Sequence, residues 1–77
     1  MIQYQLSYEY GDYAHNDIIE TSTDYDALVK KFHEFLGECL MESVIDNNDV
    51  DYVCIELLDN DKVIDCHLDY TFNQPTD

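Results

Sequence analysis

The feature that most restricts the fold is a strict two-residue alternation at the start of the chain. Residues 2–10 place a large apolar or aromatic side chain at every second position: Ile2, Tyr4, Leu6, Tyr8 and Tyr10. This is the period of a β-strand with one buried face. A turn signal, Gly11-Asp12, follows it, and a second extended run covers residues 16–21. The start of the chain therefore predicts a β-hairpin.

The register of this hairpin depends on the length of its connection. A strict two-residue turn places Leu6 opposite Asp17. A longer loop or a bulge instead places Leu6 opposite Ile18 or Ile19, because every added residue shifts the pairing. We favour this second arrangement, in which an isoleucine lies across from Leu6.

The middle of the chain carries the signals of one amphipathic helix. Thr23 is a suitable N-cap, and Asp24 and Asp26 place carboxylates in the first turn, where the helix dipole favours them. The apolar residues that follow recur at helical spacing and form a stripe for burial: Leu28, Phe32, Phe35, Leu36, Cys39 and Leu40. The asparagine pair at 47–48 ends the predicted helix.

The C-terminal part predicts a second hairpin. Extended runs at 52–58 and 63–70 flank a two-residue turn at 60–61, which pairs Leu58 with Val63. Continued alternation gives one apolar face: Val53, Ile55, Leu57, Ile64, Cys66 and Leu68. The opposite face is mixed: Tyr52, Cys54, Glu56, Leu58, Val63, Asp65, His67 and Asp69.

These elements predict an α+β fold of ββαββ order. A four-stranded antiparallel sheet packs one helix on one face and leaves its other face open to solvent or to a partner. The chain has 77 residues, so we expect one compact domain over residues 1–70. We expect residues 71–77 to form a flexible C-terminal tail.

The charge balance decides which partners the protein can have. The chain contains 18 Asp and Glu residues against 3 Lys and Arg residues, a formal net charge of -15. Direct binding to nucleic acid or to an anionic membrane is therefore excluded, because it needs cations that neutralise phosphates. The expected partners are cationic, although acidity of this kind also serves solubility.

The number of cysteines and the N-terminal residues indicate the cellular compartment of the protein. The cysteine number is odd, with Cys39, Cys54 and Cys66, and no secretory signal precedes them. An odd number without such a signal favours reduced thiols. We therefore expect a cytoplasmic protein.

Catalytic and metal-binding patterns are weak. Cys54 and His67 are opposite each other in the expected register, but nearby carboxylates would raise the pKa of the thiol and disfavour a nucleophile. The acidic run 46–51 lacks the sixth-position glycine of a calcium loop, and Leu57 occupies the place of its final glutamate. We expect a protein that is not an enzyme and has no cofactor.

Carboxylates follow one face of the predicted helix at regular intervals. Glu34, Glu38 and Glu42 repeat every four residues, which spaces them by about 6 Å along the axis. Phosphates along a DNA strand advance by about 3.4 Å per charge and lie farther apart in space, so the two pitches are similar. The predicted partner-binding residues are this row, the acids after the helix, and the open sheet face: Glu34, Glu38, Glu42, Asp46, Asp49, Asp51, Tyr52, Glu56, Asp65 and Asp69.

Tyrosine is the other abundant residue type. The seven tyrosines are too many for a core of this size, so several are partly exposed. They either contact a partner, to which tyrosine brings a large area and a polar tip, or close the sheet edges. Edge strands can also pair two copies across a two-fold axis, so a homo-oligomeric interaction module is the alternative function.

In size, extreme acidity, scarcity of Lys and Arg, and ββαββ plan, the chain resembles small phage-encoded inhibitors, namely anti-CRISPR proteins and other acidic mimics of DNA. The likeness covers the whole chain in general character and includes no family motif, so it assigns no functional residues. Members of that class occupy the positively charged nucleic-acid channel of a defence complex. The resemblance implies a non-enzymatic inhibitor of a basic nucleic-acid-binding complex in the host cytoplasm.

Overall fold

Four strands and one helix make up the parts of the chain that the computed structural model describes, residues 2–45 and 49–72. Numbered along the chain, they are β1 (Ile2–Tyr10), β2 (His15–Ser22), α1 (Tyr25–Ile45), β3 (Val50–Asp59) and β4 (Lys62–Thr71). The four strands join into one antiparallel sheet. The predicted α+β ββαββ fold is confirmed.

The strand order within the sheet is β2-β1-β3-β4. The first strand of the chain is thus an interior strand, and β2 and β4 are the two edges. The helix connects β2 to β3 across one face and packs mainly over β1 and β3. This face is called the helix side below, and the opposite face of the sheet is called the open face.

The core lies between α1 and the two interior strands. Its central side chains are fully buried, and they come from β1, α1 and β3: Leu6, Leu28, Val53 and Ile55. Phe32, Cys39 and Val50 complete the buried cluster. Tyr4 and Tyr8 pack partly buried around it, so the alternation of β1 does place aromatic rings under the helix.

The start of α1 differs by one residue from the sequence prediction. The Asp24 side chain, not that of Thr23, accepts a hydrogen bond from the Ala27 backbone N–H at 3.2 Å. The Asp24 backbone N–H donates in turn to the Ser22 hydroxyl at 3.0 Å. Along the helix, Leu40 was expected to be buried but is exposed, because the buried stripe passes through Cys39. The predicted helix end at 47–48 lies outside the described residues.

The β1–β2 pairing also shifts from the expected register. Leu6 lies opposite Glu20, not opposite an isoleucine, and Ser7 lies opposite Ile18. Ile19 is therefore the extra residue of a β-bulge. The connection is a four-residue turn in which Gly11 has a φ of 65°, and an added Cβ at Gly11 would lie 3.1 Å from the His15 ring. The four-residue turn and the bulge at Ile19 together place Glu20, and not an isoleucine, opposite Leu6.

The β3–β4 hairpin begins in the expected register and then departs from it. Leu58 lies opposite Val63, and the two turn residues between them, Asn60 and Asp61, both have positive φ. Beyond this turn, β4 contains two bulges, at Ile64 and at His67. Each bulge reverses the alternation of the residues that follow it. Ile64 and Cys66, which were expected in the core, are consequently exposed.

Two residues of the expected tail belong to the folded domain. Thr71 is the last residue of β4, and Phe72 packs against the core. The Phe72 backbone N–H donates to the Asp51 carbonyl at 2.8 Å. Residues 73–77, the remainder of that predicted tail, lie outside the described residues.

The bulged register predicts opposite outcomes for two isoleucine truncations. Ile55 is 0% exposed and Ile64 is 51% exposed. Ile55→Ala should lower the free energy of unfolding by about 2–5 kcal/mol, because it leaves a cavity under the helix. Ile64→Ala should change it by only about 0.5 kcal/mol, as surface substitutions do. Urea denaturation of both variants measures the difference, and a comparable loss in both would contradict the bulge at Ile64.

Candidate partner-binding surface

The acidic row on α1 is accessible where it is described. Glu34 and Glu38 are both exposed and lie four residues apart, which is about one turn or 6 Å along the helix. Glu42 lies in the same helix at the next position of the row, and its side chain is outside the described set. Lys30 precedes the row by one turn and is also exposed. The row therefore presents at least two carboxylates to solvent.

The acids that follow the helix have different environments. Asp49 is exposed, and its carbonyl accepts a hydrogen bond from the Gly11 N–H at 3.1 Å. Asp51 is only 3% exposed, and its carboxylate accepts a hydrogen bond from the Tyr13 N–H at 3.0 Å. Asp51 thus links β3 to the β1–β2 turn, and it is not available to a partner in this structure. Asp46 lies outside the described residues.

The bulges of β4 redistribute the side chains expected on the open face. Asp69 lies opposite Cys54, and Cys66 lies opposite Glu56. The Tyr52 hydroxyl donates to Asp69 Oδ2 at 3.1 Å and lies 3.9 Å from Cys66 Sγ, which places these groups together on the open face. The open face is where Tyr52, Glu56 and Asp69 were predicted.

Asp65 and His67 lie on the helix side, contrary to the predicted register. The His67 ring packs against the rings of Tyr4 and Tyr25, with centroids 5.4 and 5.7 Å away. Its Nε2 atom lies 3.7 Å from Asp65 Oδ2. The expected alignment of Asp65 with Asp69 on one strand face is therefore wrong, because the bulge at His67 separates the two carboxylates.

The open face has fewer acids than expected. Strand registers assign it fifteen side chains from the four strands: Gln3, Gln5, Ser7, Glu9, Asn16, Ile18, Thr21, Tyr52, Cys54, Glu56, Leu58, Val63, Cys66, Asp69 and Thr71. Three of these carry a carboxylate, and most of the others are neutral polar or apolar. The acidic character of the chain is concentrated instead on the helix, in the turns and along the helix side of the edges.

Cys54 has no histidine partner of the kind that the sequence pattern predicted. It lies opposite Asp69, while His67 is turned to the other side of the sheet. Burial raises the pKa of the Cys54 thiol to about 12, with a smaller raising effect from Glu56, although the Ser7 hydroxyl, 3.6 Å from Sγ, opposes the shift. At neutral pH Cys54 is a protonated thiol, which is a poor nucleophile.

Tyr52 is the most strongly perturbed phenol among the residues with a resolved shift. Burial raises its pKa above the usual value, and the interactions of the hydroxyl with Cys66, Cys54 and Asp69 act in the same direction. The phenol therefore stays neutral and donates a hydrogen bond to the Asp69 carboxylate. Its ring lies 6.4 Å from that of Tyr13, so Tyr52 forms part of an aromatic contact at the turn end of the open face.

Sequence patterns placed Val63 on the open face but did not identify the other apolar side chains that the edge strands leave exposed. Ile18, Ile19, Val63 and Ile64 lie along the two edge strands with a third or more of their surface accessible. Alternation predicts burial or exposure only while the register is continuous, and bulges interrupt it near these residues. For Ile18 and Ile19, the one sequence signal is a pair of adjacent isoleucines in a short edge strand.

Comparisons of the chain with protein-family models, with curated proteins and with solved structures found no match. In the described parts of the chain, no helix is both long enough and apolar enough to cross a membrane. Over the same residues, no three His, Cys, Asp or Glu side chains converge in a way that could hold a metal ion. The distribution of charge and of open edges is thus the basis for a functional proposal.

The burial of the cysteines predicts their order of reaction with a thiol reagent. Cys66 is exposed, whereas Cys39 and Cys54 are buried. At pH 8, an aromatic disulfide reagent should modify Cys66 rapidly, and Cys54 should react only as the protein opens, because its pKa of about 12 keeps it protonated. Cys66→Ser should remove the fast phase, and Cys54→Ser should retain it. A fast phase that persists in Cys66→Ser would contradict this assignment.

Proposed function

We propose that this chain is a non-enzymatic acidic inhibitor that occupies the basic nucleic-acid-binding site of a host defence or DNA-processing complex. It acts in the host cytoplasm by presenting carboxylates where its partner binds phosphates. The binding surface is the outer side of α1, with Glu34, Glu38 and Glu42 as its central residues. Binding is stoichiometric and needs no cofactor.

The observation that supports this proposal most directly is the exposed carboxylate row on a folded scaffold. Glu34 and Glu38 extend to solvent from one rigid helix, in a chain with a net charge of -15. One of the few cations, Lys31, already forms an ion pair with Glu20. A field of this kind increases the rate of encounter with a basic surface and weakens as salt screens it.

The two acidic surfaces predicted from the sequence face in opposite directions. The row on α1 lies on the helix side, whereas Glu56 and Asp69 lie on the open face. One flat or concave basic site cannot cover both sides of a sheet, so we assign the contact to one of them. The helix side is favoured because the open face contains few acids, and one of them, Asp69, already accepts a hydrogen bond from Tyr52.

Neutralising the helix row should weaken binding more than removing the same charge elsewhere. The double variant Glu34→Gln/Glu38→Gln should reduce affinity for the basic partner by about thirtyfold, since each lost charge pair at an interface contributes on the order of 1 kcal/mol. The matched control is Asp59→Asn/Asp61→Asn. It removes two exposed carboxylates at the β3–β4 turn, and asparagine tolerates the positive φ of 68° at position 61.

The measurement begins with the immobilised protein and a host lysate at low salt. The proposal expects retention of a nucleic-acid-binding complex that excess duplex DNA displaces. Affinities of the two double variants for that purified complex, measured across a salt series, then separate a localised contact from general attraction. Equal weakening by both variants would exclude α1 as the contact, and retained proteins that DNA does not displace would contradict mimicry.

A homo-oligomeric interaction module is the second candidate, and the exposed isoleucines of β2 are the observation that favours it. Unpaired edge strands with apolar side chains can join two copies into one continuous sheet. Sedimentation velocity at low and high salt distinguishes the two functions. A dimer that tightens with salt, as screening reduces the repulsion between two chains of charge -15, would favour the module.

A further inference from the structure

The two edges of the sheet differ in how well they are protected from pairing. On β4, the bulges at Ile64 and His67 interrupt the outer edge. Between them, Asp65 Oδ1 accepts a hydrogen bond from the Cys66 backbone N–H at 2.8 Å, and the Cys66 thiol donates to the Leu68 carbonyl at 3.9 Å. Bulges and side chains that satisfy backbone groups are the usual means by which proteins block an edge.

The outer edge of β2 has little of this protection. It contains one bulge, at Ile19, and pairs only with β1. Its polar side chains turn inwards: Asn16 donates to the Tyr8 carbonyl, and Asp17 accepts from the Tyr8 hydroxyl. Within the described residues, no side chain forms a hydrogen bond with a backbone group of residues 15–21. The outward N–H and C=O groups of β2 are therefore accessible to an added strand.

Charge indicates which kind of strand fits this edge. Self-pairing of two copies, centred on the exposed Ile18 and Ile19, would place Asp17 of one copy opposite Glu20 of the other. Like charges in that position are destabilising, and an exposed ion pair such as that of Lys31 with Glu20 offsets little of the repulsion. An extended segment that carries cations meets complementary charge instead. Its alternate side chains would face the acids on the helix side and Ile18 on the open face.

We propose that the outer edge of β2 binds an extended Lys- or Arg-rich segment of a basic partner as a fifth strand. The choice of a basic partner rests on the function proposed above, whereas the location of the contact does not. The main-chain hydrogen bonds supply affinity, and the alternation of cationic and apolar side chains supplies register. This surface is separate from the carboxylate row of α1.

The test uses a synthetic peptide of about eight residues that alternates lysine with valine, a length typical of short strands. A second peptide replaces each lysine with glutamate. The protein variants are Ile18→Lys, on the β2 edge, and Val63→Lys, on the β4 edge. The two wild-type side chains are apolar and 59% and 49% exposed, both lie on the open face, and both substitutions add one positive charge. The pair is matched in added charge, in the face of the sheet and approximately in exposure, and it differs in the edge.

The proposal expects Ile18→Lys to weaken binding of the lysine peptide by about tenfold, and Val63→Lys to change it by less than about twofold. Bound peptide should slow amide hydrogen exchange in residues 15–22. Equal weakening by the two variants would reject the proposal in favour of general attraction. Absence of binding, or protection confined to β4, would also reject it. A dimer of the free chain that Ile18→Lys dissociates would show that the occupant is a second copy.

The proposal for the β2 edge and the proposed inhibitory function can be rejected independently of each other. If Glu34→Gln/Glu38→Gln weakens the DNA-displaceable complex and Ile18→Lys does not affect either that complex or the peptide, the function stands and the edge proposal is rejected. If Ile18→Lys weakens peptide binding while the retained proteins are insensitive to DNA, the edge proposal stands and the mimicry is rejected.

Discussion

The pairing of β1 with β3 is the interaction on which the rest of the structure depends. It brings the first strand of the chain beside β3, which follows the helix, and it places Leu6 opposite Ile55 at the centre of the sheet. Both side chains are completely buried under Leu28 and Phe32 of α1. Since most stability in a domain of this size comes from one apolar cluster, this long-range pairing decides where the helix packs and which strands become edges.

The core must also offset the repulsion among many like charges. A net charge of -15 destabilises any compact state of the chain through repulsion among its carboxylates. Most carboxylates occupy α1, the turns and the edge strands, Glu9 and Glu56 lie on the open face of the interior strands, and Asp51 is the buried one among the described residues. Asp51 is tolerated inside because its carboxylate accepts the Tyr13 N–H and thereby fixes the β1–β2 turn.

Much of the candidate site could be predicted from local sequence, and the remainder depended on strand register. Glu34 and Glu38 are exposed as the helical period requires, because that period relates residues within a single element. Asp65 was assigned to the wrong face, since a bulge at Ile64 reverses the alternation that the assignment assumed, and His67 is itself the extra residue of a second bulge. Such bulges arise from the twist and packing of neighbouring strands, which a single strand sequence does not specify. For the same reason, the exposed Ile18 could not be recognised as part of an open edge.

The sequence by itself determined the order and type of the elements, the N-terminal boundary of the helix to within one residue, the two-residue turn at 60–61 and the strongly negative net charge of the chain. These properties follow from short-range periodicity, capping, turn chemistry and composition. Only the tertiary structure decided the strand order, the four bulges, at Ile19, Asp51, Ile64 and His67, and the burial of Asp51. It also made β2 and β4 the edges of the sheet, with one bulge in β2 and two in β4. The reason is physical: strand neighbours, registers and edges are set by contacts between segments far apart in the chain, and these contacts exist only after the sheet and the helix have packed together.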